Sequence, residues 1–433
     1  MSRAEDPMSV YTVVRRATAL ALVFALAACA TTPQGNAPVG TSATAVRFGR
    51  LIDGTGRVLA DAVVVISGDT IVRVGRGDGA VPRGATVIDL RRYTGIPGMI
   101  DVHTHMTYAR EKPAVGVAPA AGQQTREQLF VGIARNARRT LEIGVTTVRD
   151  LGASGYTDIA ARDSINRGAM VGPRMLVAGR GLSAGSTRGP AGAVDTTIMV
   201  GIVKANADAG ADWIKMYGST GSYADVSGRQ TFTFEEMKTA VDAAHRAGKR
   251  IAIHSYGPEG GRDAMRAGAE SVEHAADLDD ATIQEFARRG TFYVPTIDHN
   301  RFYAENATEL RYTASQVAAL DAFRARNLET TRRAVAAGVK LAMGSDAVYW
   351  MFGENTRELG WFVKAGMTPA QALAAATTNG AELLGMGTKL GKVAPGYYAD
   401  IVAVEGDPLA DINVVIDRVR WVMKGGAVVV ERR

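Results

Sequence analysis

The chain is poor in the residues that would place it in several protein classes. Its 433 residues contain a single cysteine, Cys29, so no disulfide can form within it. Aromatic residues make up 6% and charged residues 22% of the chain, against 46% apolar residues, a balance typical of a globular protein. Basic residues exceed acidic ones by six. They form no block and are not interleaved with aromatics, which argues against a nucleic-acid partner.

The N-terminal segment has the pattern of an export signal. Arg15 and Arg16 precede an apolar run at 17–28, which is too short to span a bilayer but fits a signal h-region. The run ends in Leu-Ala-Ala-Cys, which resembles the bacterial lipobox, although a cysteine can also sit in such a run as a small hydrophobic residue. We therefore predict a lipoprotein signal at 1–28, lipidation of Cys29, and a protein lipid-anchored to the bacterial cell envelope, periplasmic or outer membrane.

The remaining chain divides by pattern into strand-rich ends and a long middle. A flexible tether is predicted at 29–44, because this stretch is rich in Thr, Pro, Gly and Ala. Short alternating strands with glycine turns fill 45–93 and again 389–433, which predicts one small β-sandwich domain built from both segments. Between them, at 94–388, apolar strands alternate with amphipathic helices, as in parallel βα units.

Eight strands are predicted in this middle segment, which favours a (β/α)8 TIM barrel in the α/β class. The predicted strands are 96–105, 145–151, 174–178, 213–217, 250–256, 271–274, 292–296 and 340–346. In this fold the active site lies at the carboxyl ends of the strands. The side chains at or near those ends are His103, His105, Lys215, His254, His274 and Asp346.

Each of these residues also has an ordinary structural interpretation. A His-x-His pair can simply end a strand, a strand lysine can reach solvent or pair with an acid, and an aspartate after a strand can cap a helix. Four of the six histidines nevertheless fall at barrel strand ends. Independent packing histidines would rarely do so, and the set therefore predicts a metal site.

Seven short runs stand out along the chain: Pro-Gly-Met-Ile-Asp-Val-His-Thr-His at 97–105, Gly-Val-Thr-Thr-Val-Arg-Asp at 144–150, Ala-Asp-Trp-Ile-Lys at 211–215, Ile-His at 253–254, Val-Glu-His at 272–274, Gly-Ser-Asp at 344–346 and Ala-Pro-Gly-Tyr-Tyr-Ala-Asp-Ile-Val at 394–402. They resemble the metal-dependent barrel hydrolases of the amidohydrolase superfamily, in the imidazolonepropionase-related branch that contains Xaa-Pro dipeptidase-like enzymes and ochratoxin-hydrolysing amidases. The resemblance covers nearly everything after the tether. Related dipeptidases often carry a histidine after the third strand, but 181–190 contains none, so proline specificity does not transfer directly.

The resemblance implies two divalent metal ions. One would be held by His103, His105 and Asp346 and the other by His254 and His274, with a carboxylated Lys215 between them. Imidazole and carboxylate ligands make Zn²⁺ the expected ion, although manganese, cobalt or iron suit the same set. Asp346 would accept a proton from water and donate it to the leaving nitrogen. If Lys215 is not carboxylated, a mononuclear site remains open.

Three further positions concern the substrate. His299 follows the seventh strand at the mouth of the barrel and could bind a carboxylate or leaving group, or be a solvated loop residue. Tyr217 shares a strand face with Lys215, and the resemblance makes it a candidate to polarise the scissile carbonyl or hold a carboxylate, with a packing role as the alternative. Tyr223, Arg229 and Arg301 are further carboxylate candidates on nearby loops. His245, within a helix, is predicted to be structural.

These observations predict a dinuclear amidohydrolase that releases a C-terminal amino acid from a small amide with a free carboxylate, such as a dipeptide, an N-acyl amino acid or ochratoxin A. A cyclic-amide or lactone hydrolase is the nearer alternative, because the same ligands serve those reactions. A non-catalytic metal-binding surface lipoprotein is the alternative from a different class. The resemblance also implies a homo-oligomer.

Overall fold

The computed structural model describes residues 43–113 and 124–432. Cys29, the predicted signal and all but the end of the predicted tether lie outside these residues. The predicted α/β barrel with a small β domain is confirmed. The strands are β1 Thr44–Ile52, β2 Val58–Ser67, β3 Thr70–Arg76, β4 Thr86–Pro97, β5 Met99–Thr104, β6 Val145–Asp150, β7 Arg174–Val177, β8 Trp213–Tyr217, β9 Arg250–Ser255, β10 Ser271–His274, β11 Phe292–Val294, β12 Ile401–Val404, β13 Val419–Lys424 and β14 Ala427–Glu431.

Several helices begin where the sequence offers a capping threonine. Thr125, Thr233 and Thr313 each accept a hydrogen bond from the backbone N–H three residues on, and the Gln or Glu there returns one, which satisfies two otherwise free donors. The helices are α1 Arg126–Glu142, α2 Thr157–Asn166, α3 Thr196–Asp208, α4 Phe234–Arg246, α5 Pro258–Ala267, α6 Asp280–Arg289, α7 Ile297–Glu305, α8 Ala307–Leu310, α9 Ala314–Ala336, α10 Glu358–Lys364, α11 Pro369–Ala375, α12 Thr378–Leu383 and α13 Asn413–Asp417. Among the described residues, no helix combines the length and apolarity needed to cross a membrane.

The two ends of the chain pair in one seven-stranded sheet of order β14-β13-β12-β4-β1-β2-β3. The sheet curls, because Ile71 at the β3 edge donates a backbone hydrogen bond to Tyr397, just before β12. It encloses an apolar core that includes Phe48, Ile66 and the fully buried Trp421. The N- and C-terminal strand segments therefore depend on each other for burial of this core.

The first barrel strand begins later than predicted. Ile96 and Pro97 pair with Val402 and Ile401 in the seven-stranded sheet, and the barrel strand β5 starts only at Met99. Gly98 separates the two, and a Cβ atom there would lie 2.2 Å from the Thr146 hydroxyl. Only glycine allows the chain to pass this closely from the small sheet into the barrel.

The eighth predicted strand, 340–346, does not form a regular ladder. Only single bridges, Tyr293 to Leu341 and Thr104 to Ala347, attach the segment to its neighbours. Its backbone nevertheless bonds both neighbouring strands, since Lys340 accepts from the Tyr293 N–H of β11 and Met343 accepts from the Val102 N–H of β5. The segment closes the barrel in the predicted place, but it bends too much for continuous pairing.

Candidate active site

The predicted ligand residues meet in one buried pocket at the carboxyl ends of the barrel strands. His103 lies near the end of β5, His254 near the end of β9 and His274 at the end of β10. Each of the six side chains, His103, His105, Lys215, His254, His274 and Asp346, is at most 7% exposed. Most of them line a cavity of about 210 Å³ together with Tyr217 and His299.

Asp346 stands at the centre of this arrangement. One of its oxygens, Oδ1, lies 3.5 Å from His103 Nε2 and 3.2 Å from His105 Nε2. These three residues form a cluster whose ligand atoms all lie within 4.8 Å of one another. The second oxygen, Oδ2, lies 3.2 Å from His299 Nε2 and 4.0 Å from His274 Nε2. Two imidazoles and a carboxylate at this spacing suit a divalent metal ion.

His254 and Lys215 lie beside this cluster. The His254 and His274 rings have their centroids 4.5 Å apart, and the His103 and His274 rings 5.1 Å apart. Lys215 is fully buried in β8, and its Nζ has no hydrogen-bond partner among the described residues. The Nε2 atoms of His103 and His254 are likewise buried without a hydrogen-bond partner among these residues. Buried polar nitrogens are rarely left unpaired, so these atoms fit positions meant for metal ions and for a modified lysine.

Burial sets the protonation of the site. It lowers the pKa of Lys215 to about 8 and that of His103 to about 4, and it also lowers the pKa of His254 and His274. Burial alone would raise the pKa of Asp346, but His299 and His103 hold it well below its usual value. At neutral pH His103, His254 and His274 are therefore neutral and Asp346 is ionised, which are the forms that bind metal.

A charged network behind the site holds His103. Its Nδ1 lies 2.8 Å from Glu273 Oε2, and Arg149 Nη2 donates to the other oxygen of Glu273 at 3.0 Å. Burial by itself would raise the pKa of Glu273, but Arg149 and His103 lower it to about 2. The ionised carboxylate fixes the ring so that Nε2 faces Asp346.

Two other buried carboxylates hold the backbone that carries site residues. Asp101 accepts hydrogen bonds from the N–H groups of His103 and Ser345 and thus joins β5 to the segment before Asp346. Glu358 accepts from the N–H groups of Ile297 and Asp298 at 2.9 and 2.8 Å, at the start of the helix that carries His299. Sequence reasoning assigned no role to Glu273, Asp101 or Glu358.

The residues predicted to contact the substrate lie in different surroundings. Tyr217 and His299 both line the cavity, and burial raises the pKa of Tyr217 to about 12, which keeps its phenol protonated. Arg301 instead forms ion pairs with Asp298 and Glu354 and is buried among them. His245 lies on the surface of α4, 3.0 Å from Glu270, which confirms its structural assignment.

A family model for the amidohydrolase family matches residues 94–429. The chain belongs to the amidohydrolase family. It is 30% identical over 426 residues to ochratoxinase of Aspergillus niger, covering 88% of this chain and 86% of that one. It is 25% identical over 378 residues to imidazolonepropionase of Streptomyces griseus, covering 80% and 86%.

Solved structures agree with this assignment. A Xaa-Pro dipeptidase with methionine bound in its active site superposes with a TM-score of 0.81 at 32% identity, covering 89% of this chain and 99% of that one. The A. niger ochratoxinase structure gives a TM-score of 0.76 at 26% identity, covering 90% and 96%. This amidohydrolase is therefore an enzyme that hydrolyses amide bonds, in a metal-dependent family whose His-His-Asp cluster it retains.

The substitution Glu273→Gln should weaken metal binding about 10- to 100-fold, because it removes the charge that orients His103. Competition with a chelator measures this affinity, normalised to the folded fraction because Arg149 loses its buried partner. Glu329→Gln, on the exposed surface of α9, is the matched control and should bind metal as the unaltered protein does. Equal affinities for the two variants would contradict the role given to Glu273.

Proposed function

We propose that this amidohydrolase uses two divalent metal ions to cleave an amide bond and release a C-terminal amino acid. Dipeptides, N-acyl amino acids and ochratoxin A are the expected substrates. The observation that carries the proposal is the convergence of six ligand-type side chains at the barrel mouth, where five of them line one cavity and three have a buried nitrogen without a hydrogen-bond partner among the described residues. The ochratoxinase relative and the dipeptidase with bound methionine support this choice of substrates.

His103, His105 and Asp346 would hold one ion, and His254 and His274 the other. The ions, with Zn²⁺ the expected species, supply carbonyl polarisation and a water that is nucleophilic at neutral pH. Asp346, ionised and adjacent to both histidine groups, accepts a proton from the attacking water and later gives it to the leaving nitrogen. His299 is 3.2 Å from the Asp346 carboxylate and orients it. The Tyr217 phenol, which lines the cavity, would donate a hydrogen bond to the scissile carbonyl.

Lys215 would act as a bridging ligand after carboxylation. A protonated lysine would repel divalent cations, but burial lowers its pKa to about 8, so a neutral amine is accessible. The amine nitrogen attacks carbon dioxide and loses a proton, which yields an anionic carbamate with two oxygens. No described residue competes for Nζ, which leaves it available for this reaction.

We also propose that the protein is exported and anchored through a lipid on Cys29, and that it assembles as a homo-oligomer. The basic residues Arg15 and Arg16, the apolar run at 17–28 and the small residues before Cys29 support the anchor. The membrane would then be a site of attachment only. Small amides that enter the envelope would be the substrates within reach.

Incubating the zinc-loaded protein with dipeptides, N-acyl amino acids, ochratoxin A and lactones, followed by mass spectrometry, should show release of free amino acids. Asp346→Asn should lower kcat about 10²- to 10⁴-fold, because proton transfer is lost, while metal content stays close to two ions. Asp280→Asn, exposed on α6, should leave activity unchanged. Ring-opened lactones alone would assign a lactonase, and more than a few per cent activity in Asp346→Asn would exclude its proton role.

Metal analysis should find two ions per chain in the unaltered protein and at most one in Lys215→Met, because the bridging carbamate is absent. With ¹³C-bicarbonate, the unaltered protein should give a carbamate NMR signal that Lys215→Met lacks. Lys238→Met, an exposed control on α4, should keep both ions. One ion per chain and no carbamate signal would establish a mononuclear site, in which His274 contacts the substrate.

Labelling a bacterial expression host with radioactive palmitate should mark the full-length chain and place it in the membrane fraction. Cys29→Ser should abolish the label, since it removes the chain's single thiol. An unlabelled, soluble product from the unaltered gene would refute the lipid anchor without affecting the proposed hydrolysis.

A further inference from the structure

Two tyrosines at the mouth of the cavity adopt a backbone conformation that bulky residues seldom take. Tyr223 has φ of 55° and Tyr349 has φ of 54°, both in the left-handed region. For a residue with a large side chain this conformation is strained, and such strain persists only where the surroundings enforce it. Strained residues cluster at binding and catalytic sites, so the pair calls for a functional explanation.

A tight turn imposes the positive φ of each of the two tyrosines. Tyr223 lies in the two-residue tip between Ser222 and Asp225, which exchange backbone hydrogen bonds of 2.8 and 3.0 Å. Tyr349 lies in the turn closed by the bond from Met351 N–H to the Val348 carbonyl, at 2.9 Å. The N–H of Tyr349 also donates to the Tyr108 carbonyl at 2.7 Å. Two loops that are distant in sequence are therefore both bent to bring a phenol to the same place.

The two rings face each other. Their planes differ by 11° and their centroids lie 6.3 Å apart, while the Arg110 guanidinium lies 5.0 Å from the centroid of Tyr349. On the cavity side, Tyr223 meets Tyr303 at 5.9 Å, and Tyr303 packs edge-on against His299 at 4.5 Å. An aromatic wall thus runs from the Asp346 partner His299 to the protein surface.

Tyr223 differs from the other tyrosines of the cavity in its exposure. It is 39% exposed, whereas Tyr256 and Tyr303 are buried, and it lines the same cavity as they do. Because the Tyr349 ring stacks against it, the exposed Tyr223 ring presents a flat apolar surface to a ligand that enters the cavity. Aromatic pairs contribute beyond the area they bury, through their offset-stacked or edge-to-face geometry.

We propose that Tyr223, supported by Tyr349 and Arg110, is a specificity-determining residue that binds an aromatic ring of the substrate beside the scissile amide. This inference rests on the proposed amide hydrolysis and narrows its substrates to amides that carry an aromatic side chain or acyl group. Tyr349 is a positioning residue, since it acts through Tyr223. The strain in both turns is the cost of placing this platform at the rim.

The test compares ligands that differ only in aromaticity. Binding of phenylalanine and cyclohexylalanine, which have no amide bond to be cleaved, to the metal-loaded full chain is measured by calorimetry, and kcat/KM is measured for dipeptides carrying either side chain on either side of the amide. The phenyl compound should be favoured about 2- to 12-fold, the range expected for one aromatic contact. Tyr223→Phe should keep this preference. Tyr223→Gly should abolish it through a higher KM for the phenyl substrates.

Thermal unfolding separates a binding role from a packing role. Glycine adopts a positive φ without strain, so Tyr223→Gly should not lower the unfolding midpoint if the ring serves the substrate. A lowered midpoint with the aromatic preference intact would overturn the proposal, as would an unaltered protein with no preference. Preferential binding of the phenyl ligand without any hydrolysis would uphold the platform and refute the proposed amide hydrolysis. Hydrolysis without an aromatic preference would refute the platform and uphold the proposed amide hydrolysis.

Discussion

The constraint on which the active site depends is the burial of polar nitrogens that have no hydrogen-bond partner among the described residues. A fully buried Lys215 amine and the unpaired Nε2 atoms of His103 and His254 all lie at one end of the barrel. Desolvating such groups without hydrogen bonds costs free energy, and the folded chain recovers it only if something else binds them. The low pKa values that burial imposes on these groups reduce the cost, because neutral amines and imidazoles are cheaper to bury than cations. They are also the forms that ligate metal or capture carbon dioxide.

The charges that remain in the interior are each held by several donors. Glu273 is ionised because Arg149 and His103 bind its two oxygens, and Asp101 accepts from two backbone N–H groups as well as from Ser345 and Asn355 side chains. Removing one partner of such a group leaves a buried unpaired charge, which is more damaging than the loss of one contact. These networks therefore keep the ligands in place and also tie the barrel strands to each other.

Site residues could be predicted from the sequence where they lie on regular strands, whose side chains alternate with a fixed period. The alternation of side chains along strands and the fixed location of strand ends in a barrel were enough to predict that His103, His254, His274 and Asp346 lie close together. They were not enough for Gly98, where a close contact ends one sheet and begins another, or for 340–346, whose bends break the ladder. Glu273 was visible beside His274 in the motif, but its contact with His103 joins residues 170 positions apart. Local patterns do not encode such pairings.

The rim illustrates a deeper limit of sequence reasoning. Asp346 and Tyr349 lie three residues apart, and both have a positive φ, at 51° and 54°. One short segment thus turns twice, first to aim a carboxylate into the cavity and then to set a ring at its mouth. Aspartate adopts this conformation more readily than most residues, but nothing about a tyrosine indicates it. The strain is tolerated because three backbone hydrogen bonds hold the segment: Asp346 donates to the His103 carbonyl, Ala347 accepts from the His105 N–H, and Tyr349 donates to the Tyr108 carbonyl. The proposed proton transfer by Asp346 and the placement of the Tyr349 ring would therefore be coupled through one piece of backbone.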